Sequence, residues 1–306
     1  MFTNKYDINC QGAYKTPLYE WLPGTEPDSV LYIIHGMAEH GKRYAPVAEM
    51  LNRQSIAVYA HDGRYHGEAV SDTAQLGLAD NNWFYLQIED IKCVLDFLRK
   101  KYSGKKIFLL GHSMGSFLCQ RFFQMYGNSI DGLILSASNG KEDPLMQVGI
   151  ALAYCQYKLL GRQHRSHFIN TLSFGQFNKA FRPNRTPFDW LSKDDAEVDK
   201  YIADPLCGFV CSSCFFYYFF KGIHDAFKKE NIASIPCNIP IYCFAGSRDP
   251  VGLNGKGFLQ LVQNWKNTGA SNLHYKLYEE GRHEMLNETN KTEVIQDLIY
   301  WLKQNV

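Results

Sequence analysis

Short runs of unbroken apolar residues recur along the chain, and stretches with helical spacing separate them. Residues 29–34 read SVLYII and residues 55–60 read SIAVYA, the pattern of strands in a sheet covered on both faces. Further strands are predicted at 106–110, 132–137, 239–244 and 273–278. Between them, Phe84, Ile88, Ile91, Leu95 and Leu98 recur at steps of four, three, four and three, which places them on one face of a long helix. Helices are also predicted over 43–53, 114–126 and 257–267, and Val294, Leu298 and Trp301 mark a C-terminal one. Residues 13–22 carry Tyr and Trp with polar alternation and predict an antiparallel edge hairpin. Strands alternating with helices predict an α/β fold: a mostly parallel central sheet flanked by helices.

The alternation fails between residues 138 and 235. That stretch includes FNKAFRPNRTPFDWLSKDD and then a run rich in Cys and Phe ending at Phe220, but no buried strand. It predicts a helical cap or lid inserted at 138–235 into a core made of 1–137 and 236–306. The run Phe215–Phe220 is open to two readings, as packing inside the cap or as the lining of an acyl tunnel or lipid-facing surface.

Chemistry enters at Gly111-His112-Ser113-Met114-Gly115, a G-x-S-x-G pattern between the apolar run 107–110 and a predicted helix. A serine on a sharp strand-to-helix turn has its hydroxyl exposed, and flanking glycines let strand and helix approach closely. A serine hydroxyl needs a base, usually histidine, and the base needs an orienting carboxylate. In this architecture they follow in the order Ser, Asp or Glu, His. Asp249 lies just past the strand at 239–244, and His283 just past the strand at 273–278. The candidate catalytic residues are therefore Ser113, Asp249 and His283. Two backbone N–H groups must stabilise the oxyanion: that of Met114, after the serine, and that of Met37 in the loop His35-Gly36-Met37-Ala38-Glu39-His40.

Composition narrows the setting. With 306 residues and a net charge of +1, the chain offers no electrostatic case for nucleic acid or anionic membrane as main partner. Nine cysteines, several inside apolar runs (Cys93, Cys119, Cys155, Cys243), suit reduced thiols of a cytosolic protein. The opening MFTNKYDINCQG has no signal-peptide pattern. The apolar-aromatic run from Cys214 to Phe220 falls short of the ~18 residues that span a bilayer. A soluble cytoplasmic protein is expected, with neither cofactor nor metal. Cys207, Cys211 and Cys214 have cluster-like spacing but sit in an apolar helical stretch. His35, Glu39 and His40, and equally His283 and Glu284, miss the H-E-x-x-H pattern. His61, Asp62 and His66 read as a structured loop rather than a metal site.

HGMAEH, AHD followed by HG, GHSMG, GSRDP and RHEMLNE, in this order and spacing, resemble the α/β-hydrolase proteins of the monoacylglycerol lipase and lysophospholipase type, some of which carry the label of the related serine aminopeptidases. The resemblance extends over most of the chain, including DKYIADPL in the cap. It implies hydrolysis of carboxylic esters, with Ser113 as nucleophile, Asp249 as acid, His283 as base, and Met37 and Met114 as oxyanion donors. It implies a small-molecule acyl ester as substrate, an apolar acyl pocket and transient contact of the cap with a lipid surface. Two positions depart from the family pattern: Ser116, where a second glycine is common, and Tyr65, where a glycine often precedes the His-Gly pair. An aminopeptidase of the same fold is one alternative; it needs a carboxylate in the pocket, for which Asp194, Asp195 and Glu197 are candidates. A non-catalytic hydrolase-fold receptor is the other. A dehalogenase would have Asp at position 113.

Overall fold

The computed structural model describes residues 2–10, 14–141 and 144–306. Eight strands form one sheet among them: β1 (Asn4–Asn9), β2 (Lys15–Trp21), β3 (Ser29–Ile34), β4 (Ile56–His61), β5 (Lys106–His112), β6 (Gly132–Ser136), β7 (Ile241–Gly246) and β8 (Leu273–Tyr278). They lie in the order β1-β2-β4-β3-β5-β6-β7-β8, with β2 antiparallel to both neighbours and every pair from β4 to β8 parallel. The helices of this layer are α1 (Ala45–Asn52), α2 (Trp83–Lys101) and α3 (Met114–Tyr126). Between β6 and β7 come α4 (Met146–Leu160), α5 (His167–Phe174), α6 (Asp195–Ala203), α7 (Ser213–Phe227) and α8 (Lys229–Ile232). The chain closes with α9 (Lys256–Lys266) and α10 (Lys291–Gln304).

The unbroken apolar runs have a direct cause, because successive side chains of a strand point to opposite faces. Val30 and Tyr32 of β3, with Ile107 and Leu109 of β5, pack under α2 and α3. Leu31 and Ile33, with Phe108 and Leu110, pack on the other face against Val47 and Leu51 of α1 and Leu298 and Trp301 of α10. Both faces are covered, so no polar alternation survives.

Several boundaries differ from the sequence expectation for local reasons. β5 runs on through Gly111 and His112 because both pair with β6. The helix expected at 43–53 begins as a 3-10 turn over Gly41–Tyr44, and α1 follows with Pro46 in its first turn. β7 starts at Ile241, after Pro240, since proline lacks the amide that a ladder needs. The expected hairpin at 13–22 contributes only one arm: β2 pairs with β1 further upstream, and Ala13 lies outside the described residues. β2 is also not an edge strand; it lies between β1 and β4 and is buried from Thr16 to Trp21.

The segment 138–235 carries α4 to α8 and no strand longer than a single bridge, Arg165 to Ser212, among the described residues. α7 packs on α4, α3 and α2. The faces of α7 divide the Phe-rich run. Phe215 stacks on Trp83 with ring centroids 4.1 Å apart, and Phe215 and Phe216 are wholly buried. Tyr217 packs against Tyr154 and Tyr157 of α4. Phe219 and Phe220 line a cavity. The run is thus divided between residues packed in the interior and residues that face a cavity. No helix among the described residues is long and apolar enough to cross a membrane.

Candidate active site

Parallel strands bring their carboxyl ends to one edge of the sheet, where ligands of such folds bind. Ser113 stands at the end of β5, with φ 52° and ψ −118°, a conformation that is strained for a residue with a side chain. Two close approaches hold it there. A Cβ on Gly115 would sit 2.2 Å from the Ile34 carbonyl oxygen, and one on Gly111 would sit 2.4 Å from that of Gly115. Only glycine allows β3, β5 and α3 to meet so closely. The Ser113 amide donates to Ser136 O at 3.0 Å, anchoring the turn to β6.

Asp249 and His283 come from the turns after β7 and β8, and backbone bonds join the turns. The Arg248 amide donates to Gly281 O at 2.9 Å, and the Ser247 amide to Tyr278 O at 2.8 Å. His283 Nε2 is 2.9 Å from Ser113 Oγ, and its Nδ1 is 2.8 Å from Asp249 Oδ1. Asp249 Oδ1 also accepts from the Val251 amide at 2.9 Å. Asp249 and His283 are both buried. Burial pushes the imidazole towards its neutral form, but the charge and hydrogen bond of Asp249 outweigh this and raise its pKa above the usual histidine value. A base so placed can accept the serine proton, and the carboxylate can hold it in the right tautomer.

The five sequence-selected residues come together. Met37 and Met114 line the same cavity as Ser113, and Met114 opens α3, whose first amides have no partner inside the helix. Asp194, Asp195 and Glu197 are engaged elsewhere. Lys291 pairs with Asp194 at 3.1 Å and with Glu197 at 2.8 Å, and Arg185 lies 3.3 Å from Asp195. None of the three lines either cavity beside Ser113.

A buried ionic cluster next to Met37 escapes sequence reasoning. Glu39 Oε1 accepts from the Gly36 amide at 2.5 Å and from Tyr44 OH at 3.0 Å. Arg43 bridges Glu39 at 2.5 Å and Glu284 at 2.8 Å. Burial disfavours the charged Glu39, yet the charge of the Arg43 guanidinium beside it holds its carboxyl pKa down at about 2. Tyr201 OH donates to Ala38 O at 2.9 Å, and the Gly208 amide donates to the same oxygen at 3.0 Å. The loop that carries Met37 is thus gripped from both α1's approach and the α6 region. Arg43 and Glu284 lie 241 positions apart, and no local pattern announces such a pair.

His61, Asp62 and His66 form a packed loop. Asp62 accepts from Tyr19 OH at 2.6 Å and from the Gly41 amide at 2.8 Å. His61 bonds Tyr32 OH at 2.6 Å and Gln87 at 2.7 Å.

Two cavities open from Ser113. One of about 500 Å³ is lined by Phe117, Leu152, Phe219, Phe220, Ile223 and Phe227 among others. A smaller one of about 250 Å³ is bordered by Asn170, Thr171, Trp190 and His283.

A parallel sheet with flanking helices, a serine on a strand-to-helix turn, and an Asp and His after later strands define an α/β-hydrolase. The family model described as "Serine aminopeptidase, S33" matches residues 25–290, and the chain belongs to that family. A monoglyceride lipase of Homo sapiens is 26% identical over 299 residues, which is 97% of this chain and 89% of the relative. A monoacylglycerol lipase of Mycolicibacterium smegmatis is 25% identical over 92% of this chain and 90% of its own length. A solved structure of a highly thermostable carboxyl esterase from Bacillus coagulans, in complex with glycerol, superposes with a TM-score of 0.91 at 25% identity, covering 100% of both chains.

Proposed function

We propose that this carboxylic ester hydrolase cleaves monoacylglycerol or lysophospholipid-like acyl esters through an acyl-serine intermediate. The observation that carries the reading is the 2.9 Å contact of His283 Nε2 with Ser113 Oγ at the base of an apolar cavity of about 500 Å³. Ser113 Oγ attacks the ester carbonyl while His283 Nε2 takes its proton. The N–H groups of Met37 and Met114 receive the charge that develops on the carbonyl oxygen. His283 then returns the proton to the leaving alcohol, and water activated by the same imidazole releases the acid. Asp249 keeps Nδ1 protonated throughout.

The acyl chain fits the cavity under Phe219 and Phe220, and the alcohol fits the smaller one beside Asn170 and Thr171. Residues 138–235 serve as the cap. Leu145, Val148 and Leu172 line the acyl cavity and are 68%, 52% and 56% exposed, which suits transient contact with a lipid surface. The names of the matched lipases favour a monoacylglycerol. All nine cysteines are free, in keeping with a cytoplasmic location. The reaction needs no cofactor.

Hydrolysis of p-nitrophenyl acetate, butyrate, octanoate and palmitate, with monooleoylglycerol and an alanine p-nitroanilide, tests the reading. Rising kcat/KM towards longer esters, abolished by Ser113→Ala with the fold intact, is the expected result. Cleavage of the anilide instead would establish the aminopeptidase. Labelling of Ser113 by a fluorophosphonate without turnover of any of these substrates would overturn the acyl-ester reading in favour of a narrower substrate or the receptor.

A further inference from the structure

Ser116 occupies the position where this chain departs from the second glycine common in the resembling family. Its side chain is buried in the first turn of α3, and its hydroxyl oxygen lies 2.6 Å from the backbone oxygen of Ser113. The same oxygen lies 2.7 Å from Ser138 Oγ, which in turn is 2.9 Å from Gln120 Nε2. Gln120 Nε2 also lies 3.0 Å from Asn139 O. Ser116, Gln120 and Ser138 are all buried.

The two ends of this row settle its direction. A backbone carbonyl only accepts, and Asn139 O therefore identifies the Gln120 atom beside it as the donating amide nitrogen. That nitrogen donates to Ser138 Oγ. The Ser138 hydroxyl must then spend its proton on Ser116, and Ser116 must spend its own on the Ser113 carbonyl. Every proton points at Ser113 O. Successive donors in a dry interior polarise one another.

The carbonyl at the end of the row belongs to the peptide bond whose nitrogen is Met114 N. Resonance couples the two ends of a peptide unit: drawing electron density onto the Ser113 oxygen leaves the Met114 N–H more positive. We infer that Ser116, driven by Ser138 and Gln120, is a positioning residue that strengthens the Met114 N–H as a donor to the reacting oxyanion. The inference rests on the reading of Met114 as an oxyanion donor. The amides of Ser116 and Phe117 also donate to Ser113 O, at 2.8 and 3.3 Å, so the helix start survives loss of the hydroxyl while the extra polarisation does not.

The expected size follows from two magnitudes. Loss of one oxyanion donor costs roughly a hundred- to a thousand-fold in kcat, and cooperative strengthening is about 10–30% of a bond. Ser116→Ala should therefore lower kcat roughly two- to eight-fold. KM should stay unchanged while Tm falls modestly, since the buried Ser138 hydroxyl loses its acceptor. The factor in kcat should be the same for p-nitrophenyl butyrate and octanoate, because the effect sits on the reacting oxygen and not on the acyl pocket. Affinity for 1,1,1-trifluorodecan-2-one, whose hemiketal oxyanion forms when Ser113 Oγ adds to the ketone and its proton passes to His283, should fall by a similar factor. Ser138→Ala, one bond further out, should lower kcat in the same sense but less, and it decides the matter if Ser116→Ala does not fold. Unchanged kcat in both variants, or a loss that depends on acyl length, overturns the inference while wild-type ester hydrolysis leaves the proposed reaction standing. A wild-type protein that neither hydrolyses the esters nor binds the ketone overturns both.

Discussion

Asp249 holds its imidazole through one carboxylate oxygen, which accepts from His283 Nδ1 at 2.8 Å and from the Val251 amide at 2.9 Å. Asp249→Asn keeps the shape and removes the charge, and turnover should drop by about three to four decades. The pH profile offers a second readout. In the proposed reaction the base is neutral His283, whose pKa stands above the usual histidine value despite burial because Asp249 favours the charged form. Wild-type kcat/KM should therefore rise with pH through a midpoint above about 6.5. In Asp249→Asn that cause of elevation is gone and burial remains, so the midpoint should move to lower pH. A midpoint that stays in place would assign the acid limb to another group. Ser113, Asp249 and His283 were legible in the sequence because each sits next to a strand end whose position the apolar runs already marked. Glu39, Arg43 and Glu284 were not, because a buried charge is recognised only by the partner that satisfies it.

Helix α7 shows how one element serves two purposes. Its apolar residues are too many for a single face, and the structure divides them: Phe215 against Trp83 in the core, Phe219 and Phe220 along the cavity. The two faces predict different mutant phenotypes. Phe215→Ala removes a wholly buried ring and should cost about 3–5 kcal/mol of stability, read as a lower midpoint in urea unfolding. Phe220→Ala deepens the cavity and should shift the kcat/KM preference by several-fold towards longer p-nitrophenyl esters, with a smaller change in the midpoint. An unchanged chain-length profile would remove Phe220 from the acyl pocket. The sequence leaves the run open between packing and lining, because which side faces a void depends on α4 and α5, and their packing has no local signature.

Across the protein, several buried histidines make the fold sensitive to acid. Burial pushes His35 and His61 below the usual histidine value, His66 to about 3 and His112 to about 4. Each is neutral when folded and takes up a proton when unfolded below about pH 6.5. Their contribution to stability is thus present above that pH and is lost as the pH falls towards their folded values, at up to about 1.4 kcal/mol per pH unit for each group. His283 has the opposite sign: its raised pKa contributes stability below about 6.5 that is lost as pH rises through its folded value. Tm measured by scanning fluorimetry should therefore fall steeply from pH 6.5 to 5. A flat Tm across that window would contradict neutral burial of these imidazoles.

The order of strands and helices, the serine turn, and the candidate acid and base after later strands were all readable from the chain alone. They depend on periodicity and on turn chemistry within a few residues, and these are local properties. Pairings across long sequence separations were not readable. Arg43 meets Glu284, and Ser138 joins Ser116 and Gln120 in a single hydrogen-bonded row. Such contacts arise when the closed sheet and its covering helices exclude water and leave each buried polar group to find a partner. Partner choice is a property of the packed interior, and sequence spacing carries no record of it.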